Sequence, residues 1–290
     1  MSTVPVFRTP DMPDWSPLDR PETYRAHPAF IAREMSARTG GALVGASGCY
    51  GMRWTVGPLM VERYTGDAVP QLTEDGRQRL VLWQPLQPDG SRTAGWWPSP
   101  KSAGVGMTGY ATRNPDDSPY ARWSENTKRQ AKKFARSGWV IRDVTVDEFL
   151  RHYERCIHQG TTVRQVNEAV IRSKLAAHGD RVRLVGAAPS VDARIEAAFM
   201  SCDVPETAES LHVCSYICPD ALDVGAGSGL MDHWFHTRRE RGIRFFDFGM
   251  FWRPGDPAAW KGLSRFKSQF GTRLAEYPRP MFRWYRGKGR

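Results

Sequence analysis

The run Gly225-Ala226-Gly227-Ser228-Gly229, standing late in the chain, most restricts what this sequence can fold into. With Leu222-Asp223-Val224 before it, the run has the glycine spacing of a strand-to-helix turn that offers backbone N–H groups to a phosphate. Asp247 follows at the end of a strand, Ile243-Arg244-Phe245-Phe246-Asp247-Phe248, where an acid could hold a ribose hydroxyl. A doubly wound nucleotide-binding sheet needs several more parallel strands beyond such a motif, yet 43 residues follow Asp247 in a chain of 290. Only a permuted chain would rescue that fold. Two readings survive: an anion site at a helix N-terminus, which requires no such sheet, and a tight turn in which glycine supplies positive φ.

Ahead of this turn the chain divides near residue 118. Prolines at 5, 10, 13, 17 and 21 mark an extended arm, and the pattern predicts a helix over 21–38 ended by Gly40-Gly41. Short apolar runs, ALVGASGCY, GPLMVERY and RLVLWQ, read as strands between residues 41 and 84. Residues 85–118 are rich in Pro, Gly, Ser and Asp and read as a long loop. A second unit, 119–290, opens with a basic helix to Arg136, which Gly138 ends. A short strand (WVIRDV) follows, then helices from Thr145 and over 166–178, and three strands (RVRLVGAAP, ARIEAAFMSCDV, ESLHVCSYIC). The glycine turn opens a further helix, LMDHWFHTRRERG; the strand IRFFDFGMF, a short helix GLSRFKSQFG and the strand PRPMFRWY close the chain. Helices flanking a mixed sheet define an α/β (α+β) protein.

Composition agrees with a globular chain, 40% hydrophobic and 25% charged. The first residues carry prolines and acids where a signal peptide would be apolar, and no run approaches the ~20 apolar residues of a membrane span. Five scattered cysteines argue against a disulfide framework and fit a reducing compartment, so the expectation is a soluble, cytoplasmic protein. The net charge of +10 predicts attraction to polyanions: RNA, phosphorylated cofactors or anionic lipid. Metal binding is not expected. Cys214 and Cys218 share a strand face but stand about 13 Å apart at ~3.3 Å per residue, and His233 with His236 finds no third ligand at a familiar spacing. Cys156 and His152, four apart, read as helix packing.

The most informative pair of segments is FFDFG (245–249) with RFKSQFG (265–271). In the second, Leu263, Phe266 and Phe270 recur at helical spacing and Lys267 lies at the edge of their apolar face. Together the two segments resemble the C-terminal part of the Fem-type aminoacyltransferases, which belong to the wider GNAT acyltransferase superfamily. The likeness spans residues 119–290 and includes the basic helix WSENTKRQAKKFARSG. Met250 departs from it, standing where the family has a second glycine. The family's architecture implies two tandem GNAT-like units, 1–118 and 119–290. It also implies transfer of an amino acid from aminoacyl-tRNA to an amine of a peptide-like or amino-sugar acceptor, without a further cofactor.

Amine acylation needs a fixed cation or N–H donor at the oxygen that becomes negative in the tetrahedral intermediate. The resemblance assigns that place to Lys267, with Phe266 and Arg265 shaping the donor pocket, while Asp247 could orient a group or accept a proton. Gly227, Ser228 and Gly229 are candidate donor-binding residues at the helix start. Lys128, Arg129, Lys132, Lys133 and Arg136 form a stripe that suits tRNA or the phosphates of coenzyme A, and Arg283, Arg286, Lys288 and Arg290 extend the basic character of the tail. Without the resemblance, Lys267 would read as a snorkelling surface lysine and the stripe as a solvated face. Three alternatives accompany the aminoacyl-tRNA reading: an acyl-CoA-dependent N-acyltransferase, a non-catalytic RNA-binding protein, and a methyltransferase, which the length after Asp247 disfavours.

Overall fold

In the computed structural model the described residues are 28–46, 49–66, 68–72, 76–86, 94–99, 107–112, 120–156, 161–252, 258 and 260–286. The proposed N-terminal arm lies outside them. The elements run α1 (Pro28–Thr39), β1 (Ala42–Ala46), β2 (Cys49–Val56), β3 (Leu59–Gly66), β4 (Arg79–Pro85), β5 (Trp97–Pro98) and β6 (Met107–Thr112). Then come α2 (Glu125–Arg136), β7 (Val140–Asp143), α3 (Val146–Cys156), α4 (Thr161–His178), β8 (Val182–Ala188), β9 (Ala197–Val204) and β10 (Glu209–Ile217). The chain closes with α5 (Pro219–Asp223), α6 (Ala226–Arg239), β11 (Phe245–Met250), α7 (Trp260–Ser268), β12 (Arg273–Glu276) and β13 (Met281–Tyr285).

Two mixed sheets result, ordered β1-β2-β3-β4-β13-β5 and β12-β6-β11-β10-β9-β8-β7. Each contains one parallel pair, β3/β4 in the first and β10/β11 in the second; the other neighbours are antiparallel. Sheet membership crosses residue 118 in both directions. β6, from the segment read as loop, pairs with β11 and β12, and the last strand, β13, pairs with β4. The long-loop expectation over 85–118 is therefore corrected. The strand Met107–Thr112 is short and lies among Pro-, Gly- and Ser-rich segments, which hid it.

The second sheet is covered on both faces. One core joins Ala131 and Phe134 of α2 to Leu230, Trp234 and Phe235 of α6 and to Phe246 and Phe248 of β11. The other joins Phe149 and Tyr153 of α3, Ile171 of α4 and Phe30 of α1 to β8, β9 and β10. A strand buried on both sides shows no period-two alternation, and β9 is buried at every position. α2 begins because Ser124, in extended conformation, accepts from the Thr127 N–H at 3.2 Å, and it buries Thr127, Ala131 and Phe134 along one stripe.

Polar networks tie the layers together. Arg238 of α6 donates to Asp203 of β9 at 2.8 Å, Ser210 of β10 donates to the other oxygen of Asp203 at 2.6 Å, and the Trp234 indole donates to Ser210 at 2.8 Å. α1 reaches both sheets. It packs on β2 and β3, its Glu34 pairs with Lys174 of α4 at 2.5 Å, and its Phe30 stacks on His178 with ring centroids 3.5 Å apart. Cys218 is held in a disulfide, which the scattered cysteines had argued against, whereas Cys49, Cys202 and Cys214 are thiols. Among the described residues no helix is long and apolar enough to cross a membrane.

Candidate functional site

The site begins where β10 and β11 part. They pair in parallel over only three positions, Glu209 with Phe245, Ser210 with Phe246 and Leu211 with Asp247. Beyond these, β10 stays with β9 through a register shift between His212 and Cys214, and β11 stays with β6 through a shift between Asp247 and Met250. Bulges of this kind bend a strand away from its neighbour. Two parallel strands drawn to opposite sides part at their carboxyl ends, the place where α/β sheets bind ligands.

Asp247 occupies the last paired position and is fully buried; one carboxylate oxygen accepts from the Gly249 N–H at 2.5 Å. Gly249 has φ 71°, a left-handed conformation that costs a side-chain-bearing residue ~1–2 kcal/mol. The Asp–Gly contact therefore holds the turn that aims the Met250 carbonyl. Lys267 of α7 donates to that carbonyl at 3.0 Å, and its ammonium lies 5.8 Å from the centre of the Phe251 ring. It is 4% exposed, so it is not the snorkelling surface lysine of the bland reading. Its charge also reaches the opposite strand: it favours the thiolate of Cys214, though burial dominates and pushes that thiol up to about 12. Cys214 is thus a neutral thiol at neutral pH, unsuited to nucleophilic chemistry.

α7 also presents Phe266, half-buried, whose ring packs edge-on against Phe270 at 5.0 Å. Phe266 lies against the start of α6, since a Cβ on Gly227 would stand 3.5 Å from its ring. Arg265 is exposed on the same helix. The structure thus brings Phe266 of α7 against Gly227 of α6, two positions far apart in the sequence.

The glycines at the start of α6 have a packing duty. Gly225 caps the helix with φ 77°, and a Cβ there would meet the Gln130 carbonyl oxygen at 2.7 Å. A Cβ on Gly229 would stand 2.2 Å from the Phe134 ring. Both let α2 approach α6 closely. Gly227, Ser228 and Gly229 are buried; the Gly229 N–H bonds the Gly225 carbonyl at 3.1 Å, and only the N–H groups ahead of it lack an intrahelical carbonyl. Beside them lies an open cleft of about 590 Å³ lined by Glu125, Lys128, Arg129, Lys132, Lys133, Arg136, Ser137 and Val224. All five predicted basic residues of α2 therefore line one concavity, and Val224 joins it to the helix start. Glu125 is paired with Lys128 at 2.7 Å and its carboxyl is held below the usual range, first by that hydrogen bond.

Sequence reasoning missed two residues on the strands around the parting. β6 supplies Gly109, which packs under Phe251 so closely that a Cβ would stand 2.1 Å from that ring. Tyr216, past the parting point on β10, buries its hydroxyl with no hydrogen-bond partner and packs against Phe149 and Tyr153. The ESLHVCSYIC pattern marks a strand, but the bulge that sets the direction of Tyr216 has no local signature. Among the described residues no cluster of three His, Cys, Asp or Glu could hold a metal.

No protein-family model and no curated protein matches the sequence. Solved structures do match the fold. FemX superposes with a TM-score of 0.65 at 11% identity, covering 90% of this chain and 95% of that one. L-PGS from Bacillus licheniformis gives 0.53 at 12% identity, covering 89% and 87%. The C-terminal domain of a putative lysylphosphatidylglycerol synthetase from Agrobacterium fabrum gives 0.52 at 14% identity, covering 89% and 91%. The two mixed sheets and these superpositions together show that the chain shares the fold of FemX.

Proposed function

We propose that the protein is an acyltransferase that forms an amide by moving an aminoacyl group from aminoacyl-tRNA to the amine of a peptide-like or amino-sugar acceptor. One observation carries the reading: a buried lysine, Lys267, bonded to the Met250 carbonyl just past the point where β10 and β11 part. A buried ammonium is costly unless neighbouring dipoles hold it, and the Met250 carbonyl does so here. An ammonium has three donors, so it can bond a backbone carbonyl and also face a developing oxyanion.

In this account the neutral acceptor amine attacks the ester carbonyl of the donor. A C–N bond forms, the C–O bond to the ribose breaks, and the amine proton leaves with the ribose hydroxyl. Lys267 stabilises the negative oxygen of the tetrahedral intermediate. Asp247 serves as a positioning residue through the Gly249 turn, and Phe266 borders the donor. The cleft along α2 favours a polyanionic donor. It sits beside the start of α6, where backbone N–H groups also suit a pyrophosphate, so an acyl-CoA donor is the second reading.

Purified protein supplied with tRNA charged with labelled amino acid, or with acyl-CoA, and a mixture of amine acceptors separates the two. Transfer from charged tRNA that ribonuclease abolishes is the expected result. Amide formation from acyl-CoA alone would replace the first reading with the second, and turnover of neither donor would remove both.

A further inference from the structure

We infer that the outer face of β5 and β13 is a stacking platform for a single-stranded RNA segment. The register sets the argument. Phe282 of β13 stands opposite Trp97 of β5 and Leu82 of β4, and Trp284, two residues on, stands opposite Leu80. Residues directly opposite, or two apart on one strand, share a face. Trp97, Phe282 and Trp284 therefore form a continuous aromatic row, backed by Leu80 and Leu82. Trp97 is 66% exposed and Trp284 44%, while Phe282, Leu80 and Leu82 are half-buried. Exposed tryptophans anchored on paired strands hold rigid π-surface in water, and any base can stack on it.

The surrounding charge selects the occupant. The described residues from Tyr277 to Arg286 include Arg279 and Arg286 beside this face and no acidic residue. Arg279 is fastened to the carbonyl of Ser99, next to β5, at 2.9 Å. Arg286 is exposed directly after β13. A second copy of the chain would bring the same positive charge against itself, whereas a nucleic acid backbone neutralises it. Aromatic surface bordered by cations is the combination that binds single strands without sequence preference. The inference rests on the aminoacyl-tRNA reading for its physiological ligand: the platform would hold an unpaired stretch of the donor RNA, away from the acyl group.

The test uses an unacylated oligouridylate and the full chain. Binding is expected to quench tryptophan fluorescence. Trp97→Ala and Trp284→Ala should each weaken affinity about tenfold, whereas Trp97→Phe and Trp284→Phe retain it. Arg286→Gln should lower the slope of log affinity against log salt by about 0.7. Both tryptophans are exposed, and circular dichroism confirms that the variants fold. An unchanged affinity in the double alanine variant overturns the platform, as does self-association that the same substitutions abolish. RNA binding lost in these variants while amide is made only from acyl-CoA would remove the proposed donor and leave the platform. Transfer from charged tRNA with undiminished oligouridylate binding in the double alanine variant would do the reverse.

Discussion

The two sheets each contain one parallel pair, and the pairs have opposite fates. β3 and β4 stay in register over seven positions, from Met60 with Arg79 to Gly66 with Pro85. β10 and β11 part after three. In the first pair the buried charge is locally matched: Glu62 accepts from Arg53 at 2.6 Å, lies 3.8 Å from Arg79 and accepts from the Tyr64 hydroxyl at 3.3 Å. In the second pair the buried cation, Lys267, reaches across from a neighbouring helix to a backbone carbonyl at the parting. The closed pair carries its own ion network, and in the proposed reading the opened pair with its cation serves the chemistry. On that reading, similar sheet plans yield one scaffold and one site.

Glu62→Ala tests the closed pair and has the largest expected effect on stability. Removing one member of a buried ion network leaves the partner charges uncompensated and costs ~3 kcal/mol or more. Denaturant unfolding measures the loss, and the residual folded protein should keep its transfer rate. A drop in rate beyond the folded fraction would mean that the first sheet takes part in the chemistry.

The α1 bridge between the sheets offers a second probe. Burial, and after it the Lys174 charge, lowers the His178 imidazole from 6.5 to about 4. The folded protein therefore stays neutral there while the unfolded chain takes a proton below about pH 6.5. Stability from this group is complete above pH 6.5 and is lost as pH falls toward 4, on the order of 1–2 kcal/mol. His178→Gln should flatten the stability profile across that window, and an unaltered slope would assign the acid sensitivity elsewhere.

Smaller still is the effect of thinning the basic cleft. Lys132→Ala with Lys133→Ala should raise KM for a polyanionic donor several-fold at constant kcat and reduce the salt dependence of binding by about two counterions. A fall in kcat with unchanged KM would contradict a purely electrostatic role for α2.

Much of this arrangement was legible in the sequence. The order and type of β10, α6, β11 and α7 follow from their apolar periods and glycine stops, with ends that differ by a few residues, and the basic stripe on α2 follows from the spacing of its five cations. Other features were not legible, for physical reasons. Met107–Thr112 contains two Thr and a Gly between breaker-rich segments, so its burial comes from neighbours, Phe251 above Gly109 among them. Nothing local to PRPMFRWY says that its partner is β4, where Met281 stands opposite Trp83. The glycines at 225 and 229 read as a phosphate cradle because their pattern fits one, yet the atoms each would clash with, the Gln130 carbonyl and the Phe134 ring, belong to α2. Strand parting depends on two bulges, and bulges have no dependable local code.

The most direct measurement is the single-turnover rate of amide formation by Lys267→Met at saturating donor. The account predicts a fall of ~10²–10³ in rate, the magnitude of losing one oxyanion donor, with donor affinity and the unfolding midpoint little changed. A rate within twofold of the unaltered protein, or a loss that disappears when only folded molecules are counted, would contradict it.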